Sequence, residues 1–339
     1  MRLPRIKGEG AAYYHIMSRT IDRAFLLDEE EKERFRRLMR KVAAFSGVEI
    51  LTYTILDNHW HIHLFAPDPP ELSDDEFIER LSYLYDPNFV RSKGSELRHL
   101  RETGDDAGAD ALRARYTYRM HEVSEFMKTL KQRFTQSYNG RHNRSGPLWE
   151  DRFKSVLIES GTGLTLAMIA AYIDLNCVRA AIVEDPKDYR YCGYAEALGG
   201  DGTARRGIQH IMRIMGQSET WAEAAGTYRE WVYKRGEATR ESRRPGFAPE
   251  KVCQVIATGG KLSFAELGHL RVRYLTDGAV LGSKIYVQDV LEKNRCRISS
   301  RRKDGVCSAE GLPVEGLYTL RSTATISYPA MPIAAPSTT

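Results

Sequence analysis

The sequence predicts an α+β fold built on an antiparallel sheet, and three observations carry that prediction. An apolar run, Val48 to Leu56, is broken by the turn pair Asp57-Asn58 and followed at once by a second run, His59 to Phe65. Two extended runs joined by an Asx-rich pair read as a β-hairpin. Upstream, Asp28 opens an acidic first turn, Glu29-Glu30-Glu31, and Phe35, Leu38, Met39, Val42 and Phe45 recur at helical spacing until Gly47. Downstream, a second helical pattern is followed by a short alternating run, Phe153 to Ile158.

Each element has its own warrant. Ala11 to Arg19 is β-rich and reads as the first strand. The helix after it takes Asp28 as N-cap, and acids in its first turn suit the positive end of the helix dipole. The hairpin supplies the next two strands. Along it side chains alternate faces, so His59, His61 and His63 point one way and Trp60, Ile62 and Leu64 the other, into a core. Residues 67–118 open with Pro67, Pro69 and Pro70, continue through a charged, partly helical stretch with Phe77, Ile78, Leu81 and Leu84, and include Gly104 to Asp110. They read as a surface insertion with a flexible tip. From about Tyr118 a helix carries Val123, Phe126, Met127, Leu130, Phe134 and Tyr138 on one face, and Asn139-Gly140 ends it. With Phe153 to Ile158 as fourth strand the order is βαββαβ, a ferredoxin-like sheet with helices on one face. A following helix runs from about Leu164 to Val178.

Composition bounds the function. The chain has 339 residues, 42% hydrophobic and 28% charged, as expected of a globular protein of about two domains. No apolar run approaches the roughly 20 residues that span a membrane. The basic N-terminus lacks an apolar stretch behind it, so no secretory signal is expected. The five cysteines, at 177, 192, 253, 296 and 307, are scattered without a C-x-x-C pair. They predict reduced thiols in a cytoplasm, and neither a disulfide framework nor a cysteine zinc site. The net charge of +5 permits a nucleic-acid partner.

Two stretches carry candidate chemistry. The histidines of the hairpin lie one pleat apart, and two such imidazoles can share a metal ion if other ligands arrive from elsewhere. The competing reading is a solvated histidine face. The loop from Arg141 to Lys154 interleaves Arg141, Arg144, Arg152 and Lys154 with Trp149 and Phe153. Cations that track phosphates and rings that stack on bases suit a nucleic-acid strand; an ordinary basic loop with Trp149 buried is the alternative. On the helix after it, Tyr172 and Asn176 stand four residues apart and so on one face. Tyr172 is either a core aromatic or a functional one. Asn176, in a helix that Asn disfavours, is either a C-cap or a ligand.

These segments, in this order, resemble those of a known family. Asn58-His59-Trp60-His61 is similar to the N-H-hydrophobic-H motif of the HUH single-tyrosine transposases, and more specifically of the REP-associated tyrosine transposases. Ser145-Gly146-Pro147-Leu148-Trp149 with Arg152-Phe153 resembles that group's S-G-x-L-W…R-F segment. Tyr172-Ile173-Asp174-Leu175-Asn176-Cys177-Val178-Arg179-Ala180 resembles its Y-I-x-L-N-P-V-R-A signature, with Cys177 where Pro is usual. Asp188-Tyr189 and Tyr191-Cys192-Gly193-Tyr194 resemble its D-Y-x-x-S-S-Y ending. The resemblance covers residues 10–195, and the 67–118 insertion is longer than usual.

The resemblance implies that His59, His61 and Asn176 bind Mg²⁺ or Mn²⁺ and that Tyr172 is the nucleophile. It implies single-stranded, hairpin-bearing DNA as substrate, a 5′-phosphotyrosine intermediate, and a cytoplasmic, nucleoid-associated protein with no membrane partner. Relatives of this core occur as dimers, which leaves a homodimer open. Arg133, Arg141, Arg144, Trp149, Arg152, Lys154 and Arg179 become the expected DNA contacts. His63 is expected beside the ligands or facing solvent, with His61/His63 as the second choice of ligand pair. Two other readings stay open: a domesticated protein that binds hairpin DNA without cutting it, and a metal-dependent phosphodiesterase that uses water, with His59, His61 and His63 on the metal.

The chain thus divides into a catalytic domain, 1–200, a helical accessory region, 201–300, and a partly disordered tail, 301–339. Helical patterns are expected at 207–216, 219–235, 248–257, 263–272 and 284–293, with Asp277 to Ser283 as a turn and Arg243 to Gly246 as a linker. The accessory region reads either as a DNA-binding helix–turn–helix unit or as a packing domain. The basic run Arg295 to Lys303 is either a backbone contact or a solvated segment.

Overall fold

A computed structural model of the chain describes residues 5–161, 163–216, 220–236, 278–295, 305–309 and 316–321. The strands are β1 (Ala12–Arg19), β2 (Glu49–Ile55), β3 (His59–Ala66), β4 (Lys154–Ile158), β5 (Gly278–Gly282), β6 (Val306–Ser308) and β7 (Tyr318–Arg321). They form one sheet in the order β2-β3-β1-β4-β5-β7-β6. The first four pair antiparallel throughout, which is the ferredoxin-like arrangement. Only β4 and β5 pair parallel, through Leu157 with Val280 and Ile158 with Leu281.

One face carries helices α1 (Glu29–Ser46) and α5 (Val123–Arg141). Asp28 caps α1 by accepting from the Glu31 N–H at 2.8 Å. Gly47 ends it at φ 69°, a left-handed turn that glycine adopts without strain. Phe35 of α1, Phe134 of α5 and Trp60 of β3 meet there, with centroids of Phe35–Trp60 at 5.4 Å and Phe35–Phe134 at 5.1 Å.

The other face is covered too, by α6 (Gly163–Asp174) and α9 (Gly202–Ile214), with α10 (Trp221–Gly236) packed on both of these. The two helices of the ferredoxin-like core share one face, as expected, and the helices after β4 cover the other. The cause lies in α6, whose described residues are apolar nearly all round and buried save Leu164, so the helix needs neighbours on both sides.

Between β3 and α5 the insertion folds as three helices, α2 (Asp74–Ser82), α3 (Pro87–Glu102) and α4 (Asp106–Thr117). They share a small core with Phe45, built on Phe77, Leu81, Leu97 and Leu112. The expected flexible tip is a tight turn. Gly104 takes φ 75° and Asp105 caps α4, accepting from the Gly108 N–H at 2.9 Å.

Short helices α7 (Asn176–Arg179) and α8 (Gly193–Leu198) follow α6, and α11 (Lys284–Lys293) follows β5. The expected turn at 277–283 is instead β5 over Gly278–Gly282, and β5, β6 and β7 extend the sheet of β1 to β4. The expected helices at 248–257 and 263–272, the linker at 243–246 and the segment from Pro329 lie outside the described residues. No described helix is long and apolar enough to cross a membrane.

Candidate active site

β3 hydrogen-bonds β1, and residues directly opposite on adjacent strands share a face. His59 stands opposite Arg19, His61 opposite Met17 and His63 opposite His15. On the far side of β1, Met17 stands opposite Lys154. The histidine face of the sheet therefore also carries His15, Arg19 and Lys154. Helix α6 lies over this face and brings Tyr172 down onto it. The Tyr172 ring meets His61 edge-on at 5.8 Å between centroids and His15 at 5.9 Å. His15 and His61 stack at 5.1 Å, and His59 meets His61 edge-on at 5.4 Å. Tyr172 is 4% exposed, so the sheet and its neighbours hold it closely.

A buried carboxyl anchors α6. Asp174 accepts from Thr52 Oγ1 at 2.6 Å and from the hydroxyl of Tyr228 on α10. Burial pushes its carboxyl up to about 6. One turn beyond Tyr172, Asn176 donates its Nδ2 to the carbonyls of Tyr172 (2.9 Å) and Ile173 (3.2 Å). That fixes the amide, with Oδ1 turned the other way. Arg179 donates to the same Tyr172 carbonyl at 3.1 Å and sets its guanidinium 4.9 Å from the tyrosine ring centroid.

The residues fit a divalent ion. Each of His59 and His61 has Nδ1 within hydrogen-bond reach of a neighbour, so Nε2 is the ring nitrogen a metal would use. Burial, reinforced by Arg19, holds His59 down to about 4. Burial first, then the neighbouring imidazoles, holds His61 well below the ordinary histidine range. Both are therefore neutral at pH 7, the form that offers a lone pair to a metal. Among the described residues no three His, Cys, Asp or Glu side chains gather to hold a metal. An amide oxygen such as Asn176 Oδ1 suits hard divalent ions.

His63 is not solvent-facing. It is fully buried, burial lowers it to about 3, and neither ring nitrogen has a hydrogen-bond partner. It stands opposite His15 across the β1–β3 pairing, on the same face as His59 and His61.

The expected DNA contacts separate. Trp149 is buried against Phe35, Trp60 and Phe134 and donates its indole N–H to Thr135 Oγ1 at 2.9 Å. It is a core residue, not a stacking platform, because three aromatic neighbours already cover it. Arg141 pairs with the buried Glu31, and Arg133 donates to the Leu84 carbonyl at 2.9 Å. Both tie elements together. Arg144 donates to Pro147 O at 3.2 Å within its own loop. Arg152 and Lys154 are exposed, and Arg179 stands at the tyrosine. Sequence reasoning missed His15 and Arg19. Alternation along β1 put them on one face, but only the β1–β3 pairing shows that this face is the histidine face.

Comparison with known proteins bears on the same residues. Residues 10–93 match the IS200-like transposase family. The match to this family, described as "Transposase IS200 like", runs from β1 into α3 and includes His15, His59 and His61; Tyr172 and Asn176 lie beyond it. A solved structure described as "Structure of the REP associates tyrosine transposase bound to a REP hairpin" is 14% identical, covering 59% of this chain and 87% of that chain with a TM-score of 0.39. No curated protein matches.

Proposed function

We propose that this IS200-like chain is a metal-assisted transposase that cleaves single-stranded, hairpin-bearing DNA with Tyr172 as nucleophile. The observation that carries this reading is the packing of Tyr172 against His61 within one chain, edge-on at 5.8 Å between ring centroids. The hairpin substrate follows from the resemblance to REP-associated relatives.

His59, His61 and Asn176 would hold Mg²⁺ or Mn²⁺, and such an ion, when bound, neutralises phosphate charge and stabilises the transition state. The chain's own residues do the rest. The Tyr172 hydroxyl loses its proton as its oxygen bonds to phosphorus, the bond from phosphorus to the 3′-oxygen breaks, and that oxygen leaves with a proton. The product is a 5′-phosphotyrosine and a free 3′-OH. A 3′-OH attacking the phosphotyrosine reverses the step and joins strands without ATP. Arg179, bonded to the tyrosine's own carbonyl, brings a positive charge that moves with the nucleophile. Arg152 and Lys154, with Arg19, offer exposed cations to the flanking phosphates.

The test is incubation with labelled hairpin oligonucleotides and Mn²⁺, followed by a denaturing gel. Wild type should give a covalently shifted band and Tyr172→Phe none. Cleavage that survives in Tyr172→Phe without an adduct would overturn the reading in favour of water attack. Hairpin binding with no cleavage across varied oligonucleotides would favour the binding-protein alternative.

A further inference from the structure

The candidate ligands are held from behind by groups that no part of the proposed reaction uses. Asn58 donates Nδ2 to the carbonyl of Arg23 at 2.9 Å. This bond fixes which way the amide points, so Oδ1 is the atom that faces His59 Nδ1 at 2.7 Å. An amide oxygen only accepts, and His59 must therefore carry its proton on Nδ1. The Arg23 carbonyl is aimed by an unusual turn: Asp22 and Arg23, neither of them glycine, take φ of 53° and 56°.

His61 meets a different partner. Its Nδ1 faces His15 Nε2 at 2.9 Å, and both rings are buried. One proton lies between the two nitrogens. If His15 donated it, His61 would carry its own proton on Nε2 and could offer no lone pair there. If His61 donates it, Nε2 is free.

We propose that Asn58 and His15 are positioning residues that lock His59 and His61 as Nδ1–H tautomers, so that both present Nε2 to the same ion. The inference rests on the reading that these two histidines hold the metal. It gives His15, 44 residues before His59 in sequence, a part in the site through the β1–β3 pairing. Partners of this kind orient a ligating imidazole and raise its basicity.

The experiment has two readouts, neither of which depends on DNA cleavage. The first is ¹⁵N NMR of the metal-free, histidine-labelled protein, in which the two ring nitrogens of each neutral imidazole report the tautomer. His59 and His61 should both show Nδ1–H. The second is Mn²⁺ affinity, measured by calorimetry. His15→Phe keeps a ring and removes the acceptor, and should weaken Mn²⁺ by about 10–100-fold. His15→Gln places an amide oxygen near the former Nε2 and should restore most of that affinity. Asn58→Leu should cost His59 its single tautomer.

An Nε2–H tautomer at His61 in the wild type would overturn the proposal. So would unchanged Mn²⁺ affinity in His15→Phe, or a loss in His15→Gln as large as in His61→Ala, which would make His15 a ligand. If His15→Phe does not fold, the wild-type tautomers and the glutamine variant still decide. A protein without a Tyr172 adduct can still show both locked tautomers, so the two readings fail separately.

Discussion

Lys131 shows how a single side chain in this fold couples to pH. Its ammonium donates to Ser18 Oγ at 3.0 Å and to the Asp151 carbonyl at 2.9 Å, 5.4 Å from the Trp149 ring centroid. Burial, reinforced by the charge of Arg5 and opposed by Asp151, lowers it to about 8 from an ordinary 10.5. Between those two values the unfolded chain binds more protons than the folded one, so stability rises with pH through that window and the penalty is fully present below it. Lys131→Met should flatten the rise, measured by urea denaturation across the same window. At this scale the sequence was partly legible. The pairing of His59 with His61 followed from alternation along one strand, and Tyr172 with Asn176 from one helical turn. His15 and Arg19 did not follow, because strand pairing is non-local. Trp149 was ambiguous because a loop aromatic gives no sign of whether the sheet has room for it.

Among the elements, α9 depends on the absence of a side chain. A Cβ on Gly207 would stand 2.4 Å from the Leu51 carbonyl oxygen and 2.8 Å from that of Ile50, both backbone atoms of β2. Neither can move without disturbing the strand. Gly207→Ala should therefore cost about 1–3 kcal/mol through overpacking, read as a lower urea midpoint with an unchanged slope. The well-marked elements were those with local signals: α1 with its cap, acidic turn and terminal glycine, and the hairpin with its Asx pair. Helix α6 was legible as a helix, but its apolar girth also meant burial on two sides, and the covering helices lie later in the chain. β5 reads as a turn in sequence because Gly-Ala-Val-Leu-Gly is short and bounded by glycines. Only pairing with β4 and β7 makes it a strand.

For the whole molecule, residues beyond 200 complete the unit that holds α6 and its Tyr172. α9 and α10 cover α6, Tyr228 bonds Asp174, and β5 occupies the flank of β4. A chain cut at residue 200 would bare an apolar helix and a sheet edge together, and bare edges invite pairing with other chains. That fragment should elute as aggregates in size-exclusion chromatography under conditions where the full chain elutes as a defined species; a well-behaved fragment would show that the later residues are dispensable. The parallel contact has a consequence in time as well. Leu157 of β4 waits for Val280, about 120 residues later. At synthesis rates of ~5–20 residues per second, roughly 6 to 25 seconds separate the two on the ribosome. The truncated chain is a frozen copy of that interval, and its tendency to associate gauges how much chaperone attention each newborn molecule demands.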